Sequence, residues 1–273
     1  MIHGGINMFT LSIAGGWLPG NYYEKYAAAK KYGFKALEML GWTGVDLDRA
    51  RNAIDESGVA LSAILTQSTD PEIQKKLDNS HGIVWEDLYD DYVKAMTETI
   101  NAAVKLNCRQ VVAVSGNERS DVERYTQHLN IVKALARVAP IAEDAGVTIV
   151  LEPLNILVDH MGYYLVTSKE GFDVIREVGS PNVRLLYDVY HQQISEGNII
   201  NNIKNNIDLI GHIHLGDVPG RREPGTGEIN YRNVFKAICE SGYTKYAALE
   251  CGLTTDLDTG VKNMRALTDG YAD

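Results

Sequence analysis

Four short apolar runs in the sequence each end on a residue that can hold a cation or carry a proton. Ile149-Val-Leu closes on Glu152, Arg184-Leu-Leu-Tyr on Asp188, Gly211-His-Ile on His214, and Ala247-Ala-Leu on Glu250. The aliphatic runs suit strands buried on both faces. A carboxylate at the end of such a strand must be paired, protonated or metal-bound, because burying it alone is too costly. Singly, each residue has an ordinary reading: a helix-capping Asp, a His bonded to a carbonyl, a Glu paired with Lys or Arg. Together, at the same end of four consecutive strands, three carboxylates cannot all ionise without a cation between them. Three oxygen donors and one imidazole suit Mn²⁺, Mg²⁺ or Co²⁺ and tolerate Zn²⁺.

Further residues gather near these ends. His212 and His214 are two apart and face the same way in a strand, with His214 nearer the C-terminal end. His212 then lies one layer deeper, placed to orient a ligand carboxylate. His191, three residues past Asp188, could bond a substrate hydroxyl or carbonyl oxygen. Arg221 and Arg222, in the Gly-rich stretch 216–229, could hold an anionic or polyhydroxyl substrate or simply be exposed turn residues. Asn7, Glu38, Trp42 and His160 also fall near strand ends, and Asn7 and Trp42 are candidates to line the pocket. Neither HExxH nor Gly-x-Ser-x-Gly occurs, and Gly225-Thr-Gly227 completes no nucleotide-binding pattern.

The elements that must position these residues alternate strictly. Strands are expected near 3–9, 34–40, 59–66, 109–115, 147–154, 183–190, 209–216 and 246–251. Helices are expected near 22–32, 46–57, 86–107, 120–145, 168–178, 196–206, 230–241 and 257–268. Gly33, Gly58, Gly146, Gly179 and Gly242 each separate a helix from the next strand, as glycine does at helix C-termini. Asn21 with Glu24, Ser120 with Glu123 and Thr167 with Glu170 fit helix starts. Eight such units imply an α/β fold of the (β/α)8 barrel class, one domain over 1–273. The stretches 67–85 and 216–229 are longer than connections need, and both follow strands, on the face where barrel enzymes carry their sites.

Lys and Arg total 26 against 36 Asp and Glu, a net charge of -10. That balance disfavours nucleic acid and anionic membranes as partners. Cys108, Cys239 and Cys251 form no CxxC pair and read as reduced core thiols. With no basic leader and no apolar run of about 20 residues, a cytoplasmic location is expected.

Leu151-Glu-Pro-Leu-Asn155, Val158-Asp-His160, Gly162-Tyr-Tyr-Leu165, Tyr187-Asp-Val-Tyr-His191, Gly211-His-Ile-His214, Pro219-Gly-Arg221, Glu223-Pro224, Gly227-Glu-Ile-Asn-Tyr231 and Leu249-Glu250 resemble the xylose-isomerase-like TIM barrels. Within that superfamily the chain looks most like the hydroxypyruvate isomerases, with the ketose 3-epimerases next. The match is strongest over 147–251. It implies that Glu152, Asp188, His214 and Glu250 bind one divalent metal, that Glu152 and Glu250 exchange the substrate proton, and that His191 and Arg221 contact substrate. It also implies a homo-oligomer. Two positions depart from the patterns: hydroxypyruvate isomerases tend to have Gln at the position of His214, and the epimerases carry Glu at that of Val158.

The reading that follows is a metal-dependent isomerase acting on a small sugar or hydroxy-keto acid through an enediolate, with hydroxypyruvate and tartronate semialdehyde as the specific pair. Ketose 3-epimerisation is the alternative. A dehydratase or a non-catalytic sugar-binding barrel ranks lower, and a DNA-repair endonuclease would need a basic groove.

Overall fold

Local chemistry decides where most of the helices begin and end. The five glycines expected to close helices all have positive φ, between 63° and 82°, a region that side-chain-bearing residues seldom enter. Asn21 accepts from the backbone N–H groups of Tyr23 and Glu24, and Glu24 accepts in return from the Asn21 N–H. A computed structural model of the chain describes residues 8–80 and 82–273. The strands are β1 (Thr10–Ala14), β2 (Ala36–Glu38), β3 (Ala60–Leu61), β4 (Ile64–Leu65), β5 (Gln110–Val114), β6 (Thr148–Glu152), β7 (Val183–Asp188), β8 (Ile210–Leu215) and β9 (Tyr246–Leu249). The helices are α1 (Glu24–Lys31), α2 (Leu47–Ser57), α3 (Pro71–Ser80), α4 (Tyr89–Lys105), α5 (Arg124–Ala145), α6 (Ser168–Val178), α7 (Val189–Ser195), α8 (Ile199–Asn206), α9 (Tyr231–Glu240) and α10 (Leu257–Thr268).

The sheet runs β3-β2-β1-β9-β8-β7-β6-β5-β4, with parallel neighbours throughout. Its two ends, β3 and β4, are halves of one strand position. Ser62 and Leu65 donate to Leu37 and Leu40 on the β2 side, and Thr66 donates to Val112 of β5. The ring therefore closes as an eight-position barrel with helices outside.

Several boundaries differ from the sequence expectation. The first strand is Thr10–Ala14 rather than 3–9, because Leu11 and Ile13 enter the core while Ser12 meets Ser62 across the barrel; residues 1–7 lie outside the described residues. The stretch 67–85 is not structureless but contains α3. Ser120 caps nothing: Gln127 bonds Arg119 and Val122 into a turn, and α5 starts at Arg124. Strand β7 stops at Asp188 because its carboxylate turns back to cap α7, accepting from the N–H groups of Tyr190 and His191. No helix among the described residues is long and apolar enough to cross a membrane.

The barrel interior has two chemical halves. Ala63, Val112, Val150 and Leu186 form an apolar cluster along one side. Facing it are Ser12, Ser62, Glu38, His212 and His214, all buried and linked by hydrogen bonds or ion pairs. Between the halves, β8 slips register against β7, with Leu185 opposite Ile210 and Leu186 opposite His212. Gly211 takes up the extra residue. A Cβ there would sit 2.7 Å from Val150 Cγ1 and 2.8 Å from Arg184 Cβ. Gly211→Ala should therefore lower stability by about 1–3 kcal/mol as an overpacked core does. The urea midpoint measures it, and a loss below ~0.5 kcal/mol would contradict this packing.

Candidate active site and metal centre

The ends of β6, β7, β8 and β9 bring Glu152, Asp188, His214 and Glu250 together, with one donor atom from each inside a 4.8 Å set. His214 Nδ1 is the point of convergence. It lies 2.7 Å from Glu250 Oε2, 3.2 Å from Glu152 Oε1 and 4.0 Å from Asp188 Oδ2. Donors around one small divalent ion, each at about 2.1 Å from it, stand roughly 3 to 4 Å apart; the 3.2 and 4.0 Å separations fall in that range, while Glu250 stands at hydrogen-bond distance. The other ring nitrogen strengthens the case. His214 Nε2 sits 2.9 Å from Glu38 Oε1, an ion-pair distance at an angle that falls short of a hydrogen bond. A carboxylate behind a ligand imidazole fixes the ring and raises its basicity.

Glu38 is the residue that sequence reasoning undervalued. Its carboxylate is shared between His214 and His212, whose Nε2 lies 2.8 Å from Glu38 Oε2, with Ser62 donating to the same oxygen at 2.9 Å. His212 thus does not hold a carboxylate of the quartet. It holds Glu38, which in turn backs His214. The signal was an acid closing the apolar run Phe34-Lys-Ala-Leu-Glu38, the pattern that marked Glu152 and Glu250.

Electrostatics separate the carboxylates. Burial pushes Glu152 up to about 7, helped by nearby Glu250 and Asp188 and opposed by His214. For Glu250 burial acts the same way, but His214 and Arg221 outweigh it and hold the group down at about 2. Burial likewise opposes the ionisation of Glu38, yet the two histidines keep it well below the carboxylate range. His214 is the counterpart: burial disfavours its charge, and Glu38, Glu250 and Glu152 overcome that and lift it well above the usual imidazole value.

Arg221 reaches this cluster from the loop after β8. Its Nη2 is 2.7 Å from Glu250 Oε2 and 3.5 Å from Asp188 Oδ2, its guanidinium lies over the Tyr190 ring, and its Nε has no hydrogen-bond partner among the described residues. The loop 216–229, longer than a connection needs, is pinned. Buried Asp217 accepts from the N–H groups of Val218, Gly225 and Ile229, while Glu223 accepts from Thr254. That clamp holds Arg221 at φ 51°, a conformation costly for a residue with a side chain.

His191 belongs to the first turn of α7 rather than to a loop, and is fully buried with Nε2 3.6 Å from Asp188 Oδ2. Trp42 is packed in the core, its indole donating to the Leu65 carbonyl at 3.2 Å, and does not line the cavity beside the quartet. Asn7 lies outside the described residues. The cavity holds about 540 Å³ and is lined by Gln67, Asn117, Asp159, His160 and Tyr163 among others. It adjoins the quartet instead of centring on it: the Tyr163 hydroxyl bonds the Glu152 carbonyl, and the His160 ring lies 5.3 Å from that of His191, tilted by 56°.

A family model described as "Xylose isomerase-like TIM barrel" matches residues 26–267. The chain belongs to that family. Among curated members it is similar to the hydroxypyruvate isomerase of Escherichia coli (strain K12), 29% identical over 64% of this chain and 67% of that one. It is also similar to the 2-oxo-tetronate isomerase of Cupriavidus necator, 27% identical over 84% and 86% of the two chains. A Xenopus laevis relative is 31% identical over 59% of this chain and 60% of its own length. Relatives with these names place the chain among isomerase enzymes. Two solved barrels share the fold. An AP endonuclease family 2 protein of Brucella melitensis has a TM-score of 0.84 at 23% identity, covering 97% of this chain and 100% of that one. An L-ribulose 3-epimerase has 0.73 at 24%, covering 95% and 86%.

Two measurements follow from the xylose-isomerase-like centre. Glu152 and His214 both have raised pKa values and must both lose a proton to ligate a cation, so binding releases protons. Mn²⁺ affinity by calorimetry should rise at least about tenfold from pH 6 to pH 8, the change a group titrating near 7 produces; a flat profile would refute the quartet as ligands. Glu38→Gln should weaken Mn²⁺ binding roughly 10- to 100-fold without touching any quartet side chain. Unchanged affinity would remove Glu38 from the centre.

Proposed function

We propose that this chain is a divalent-metal-dependent isomerase that moves a proton between neighbouring carbons of a small α-hydroxycarbonyl compound. The observation carrying this reading is the placement of Glu152 and Glu250, at the ends of β6 and β9 with two strands between them, against one imidazole nitrogen, His214 Nδ1, at 3.2 Å and 2.7 Å. A divalent ion held by the quartet would polarise the substrate's carbonyl and hydroxyl oxygens and acidify the C–H bond beside them.

The protein's own groups supply the rest. Glu250, kept ionised by His214 and Arg221, is the base that takes the proton. Glu152, ionised once it ligates the ion, relays that proton from Glu250 to the adjacent carbon, so both glutamates end the turnover as they began it. Arg221, whose Nε is unbonded to the rest of the described residues, offers a donor to a substrate carboxylate. His191 flanks Asp188 on the same side. Hydroxypyruvate to tartronate semialdehyde is the specific reaction we favour.

A second reading rests on the cavity. Its roughly 540 Å³, with Gln67, Asn117 and Asp159 on its walls, exceeds what a three-carbon acid fills. That space favours longer keto acids of the 2-oxo-tetronate kind, or a ketose epimerised at one carbon. Val158, 62% exposed, stands where the epimerases carry Glu, and that departure weighs against the epimerase.

Turnover in D2O with Mn²⁺ decides between them. An isomerase labels the carbon next to the one that loses its proton, whereas an epimerase labels the same carbon. Glu152→Gln and Glu250→Gln should each cost at least about 100-fold in kcat, the scale of a lost general acid or base. Activity retained within about tenfold in either variant would show that the proton is carried elsewhere.

A further inference from the structure

We infer that Asn155 and Asp159 are positioning residues that hold His191 as a neutral imidazole protonated on Nε2, so that it donates a hydrogen bond to a substrate oxygen and does not accept a proton. The part concerning substrate rests on the isomerase reading above; the tautomer does not.

The argument begins at Asn155, a fully buried residue three positions after Glu152. Its backbone N–H can only donate, and it lies 3.2 Å from His191 Nδ1 with hydrogen-bond geometry. That nitrogen must therefore present a lone pair. The Asn155 side chain adds a second donor. Its Oδ1 accepts from the N–H groups of Val158 and Asp159 at 2.9 and 3.3 Å, which fixes the amide so that Nδ2 faces the other way. There Nδ2 meets two acceptors, Asp159 Oδ2 at 3.0 Å and His191 Nδ1 at 2.7 Å, one for each of its hydrogens. Asp159 is held in turn by the Tyr190 hydroxyl, 2.9 Å from the same oxygen.

With Nδ1 occupied by donors, the proton of a neutral ring must reside on Nε2. That atom is buried and without a hydrogen-bond partner among the described residues, and Asp188 Oδ2 at 3.6 Å is too far to serve. A buried N–H left unmatched by the protein beside the quartet is matched by a ligand oxygen. The lock also explains why Asp159 matters although Val158, its neighbour, points outward. In this arrangement His191 has no free lone pair, which leaves proton transfer to the glutamates.

Two-bond ¹H–¹⁵N correlation spectra of histidine-labelled protein, recorded at neutral pH with EDTA and again with Mg²⁺, read the tautomer directly. Wild-type His191 should show an unprotonated Nδ1 and a protonated Nε2 in both. A protonated Nδ1 overturns the inference, and this needs no variant to fold. Asn155→Asp sets a carboxylate against Nδ1. It should shift the proton to Nδ1 and raise KM for whichever of hydroxypyruvate, a 2-oxo-tetronate or a ketose is turned over in D2O about tenfold or more, with kcat moved less and Mn²⁺ affinity kept within about threefold. An unchanged tautomer in that variant removes the Asn155 side chain from the role and leaves its backbone N–H as the donor that sets Nδ1. Should Asn155→Asp not fold, Asp159→Ala should still raise KM with an unaltered far-UV spectrum, and an unchanged KM would remove Asp159. Lack of exchange on every substrate would sink the isomerase reading while leaving the spectral result standing.

Discussion

Charge crowding around His214 is the constraint on which the rest of the site depends. Four carboxylates, those of Glu38, Glu152, Asp188 and Glu250, lie within 4.0 Å of its two ring nitrogens. Removing so many charges from water costs several kcal/mol for each ion before any attraction is counted. The barrel offsets that cost by design of its interior. One wall is apolar and dry, while the other supplies Ser12, Ser62 and His212 as hydrogen-bond partners and Arg221 as a fixed positive group. A cluster built this way stays acidic enough to attract a divalent ion and polar enough to survive without unfolding the mouth of the barrel.

Rigidity follows from the same economy of partners. Asp188 ends a strand, caps α7 through Oδ1 and turns Oδ2 to the centre, so the ligand and the helix that carries His191 are placed by one side chain. Asp217 does the comparable work for the loop after β8, gathering three backbone N–H groups so that Arg221 is presented at a backbone angle the residue would not choose alone. Acids that look alike in composition thus divide into those that hold backbone and those that face the cavity.

The quartet and the barrel could be read from the sequence because both rest on local signals. A glycine after five of the helices and an acid or histidine after four of the apolar runs repeat often enough to give register, and the strand ends bring Glu152, Asp188, His214 and Glu250 together. What escaped depends on contacts far apart in the chain. Glu38 and His212 are separated by 174 positions, Asn155 and His191 by 36. No spacing rule encodes such pairs. The split of the third strand was equally hidden, since β3 and β4 differ in which neighbour they bond rather than in residue type. Trp42 was a candidate pocket residue because it falls near a strand end, yet it packs in the core with its N–H on the Leu65 carbonyl.

Substrate choice is harder to read than chemistry for a related reason. In the proposed reaction the groups that move a proton sit at strand ends, which the ladder on both sides holds in place. The carbon they act on is set by how the substrate lies between Arg221, His191 and the cavity wall. Those contacts come from a clamped loop, the first turn of a short helix and the segment 153–165, where a shift of one residue exchanges exposed Val158 for Asp159 bound to Tyr190 and Asn155. On the proposed function, a change of that size leaves the quartet untouched and turns the bound molecule relative to Glu152 and Glu250, so isomerisation and epimerisation would differ in the side chains that orient the substrate rather than in the two carboxylates.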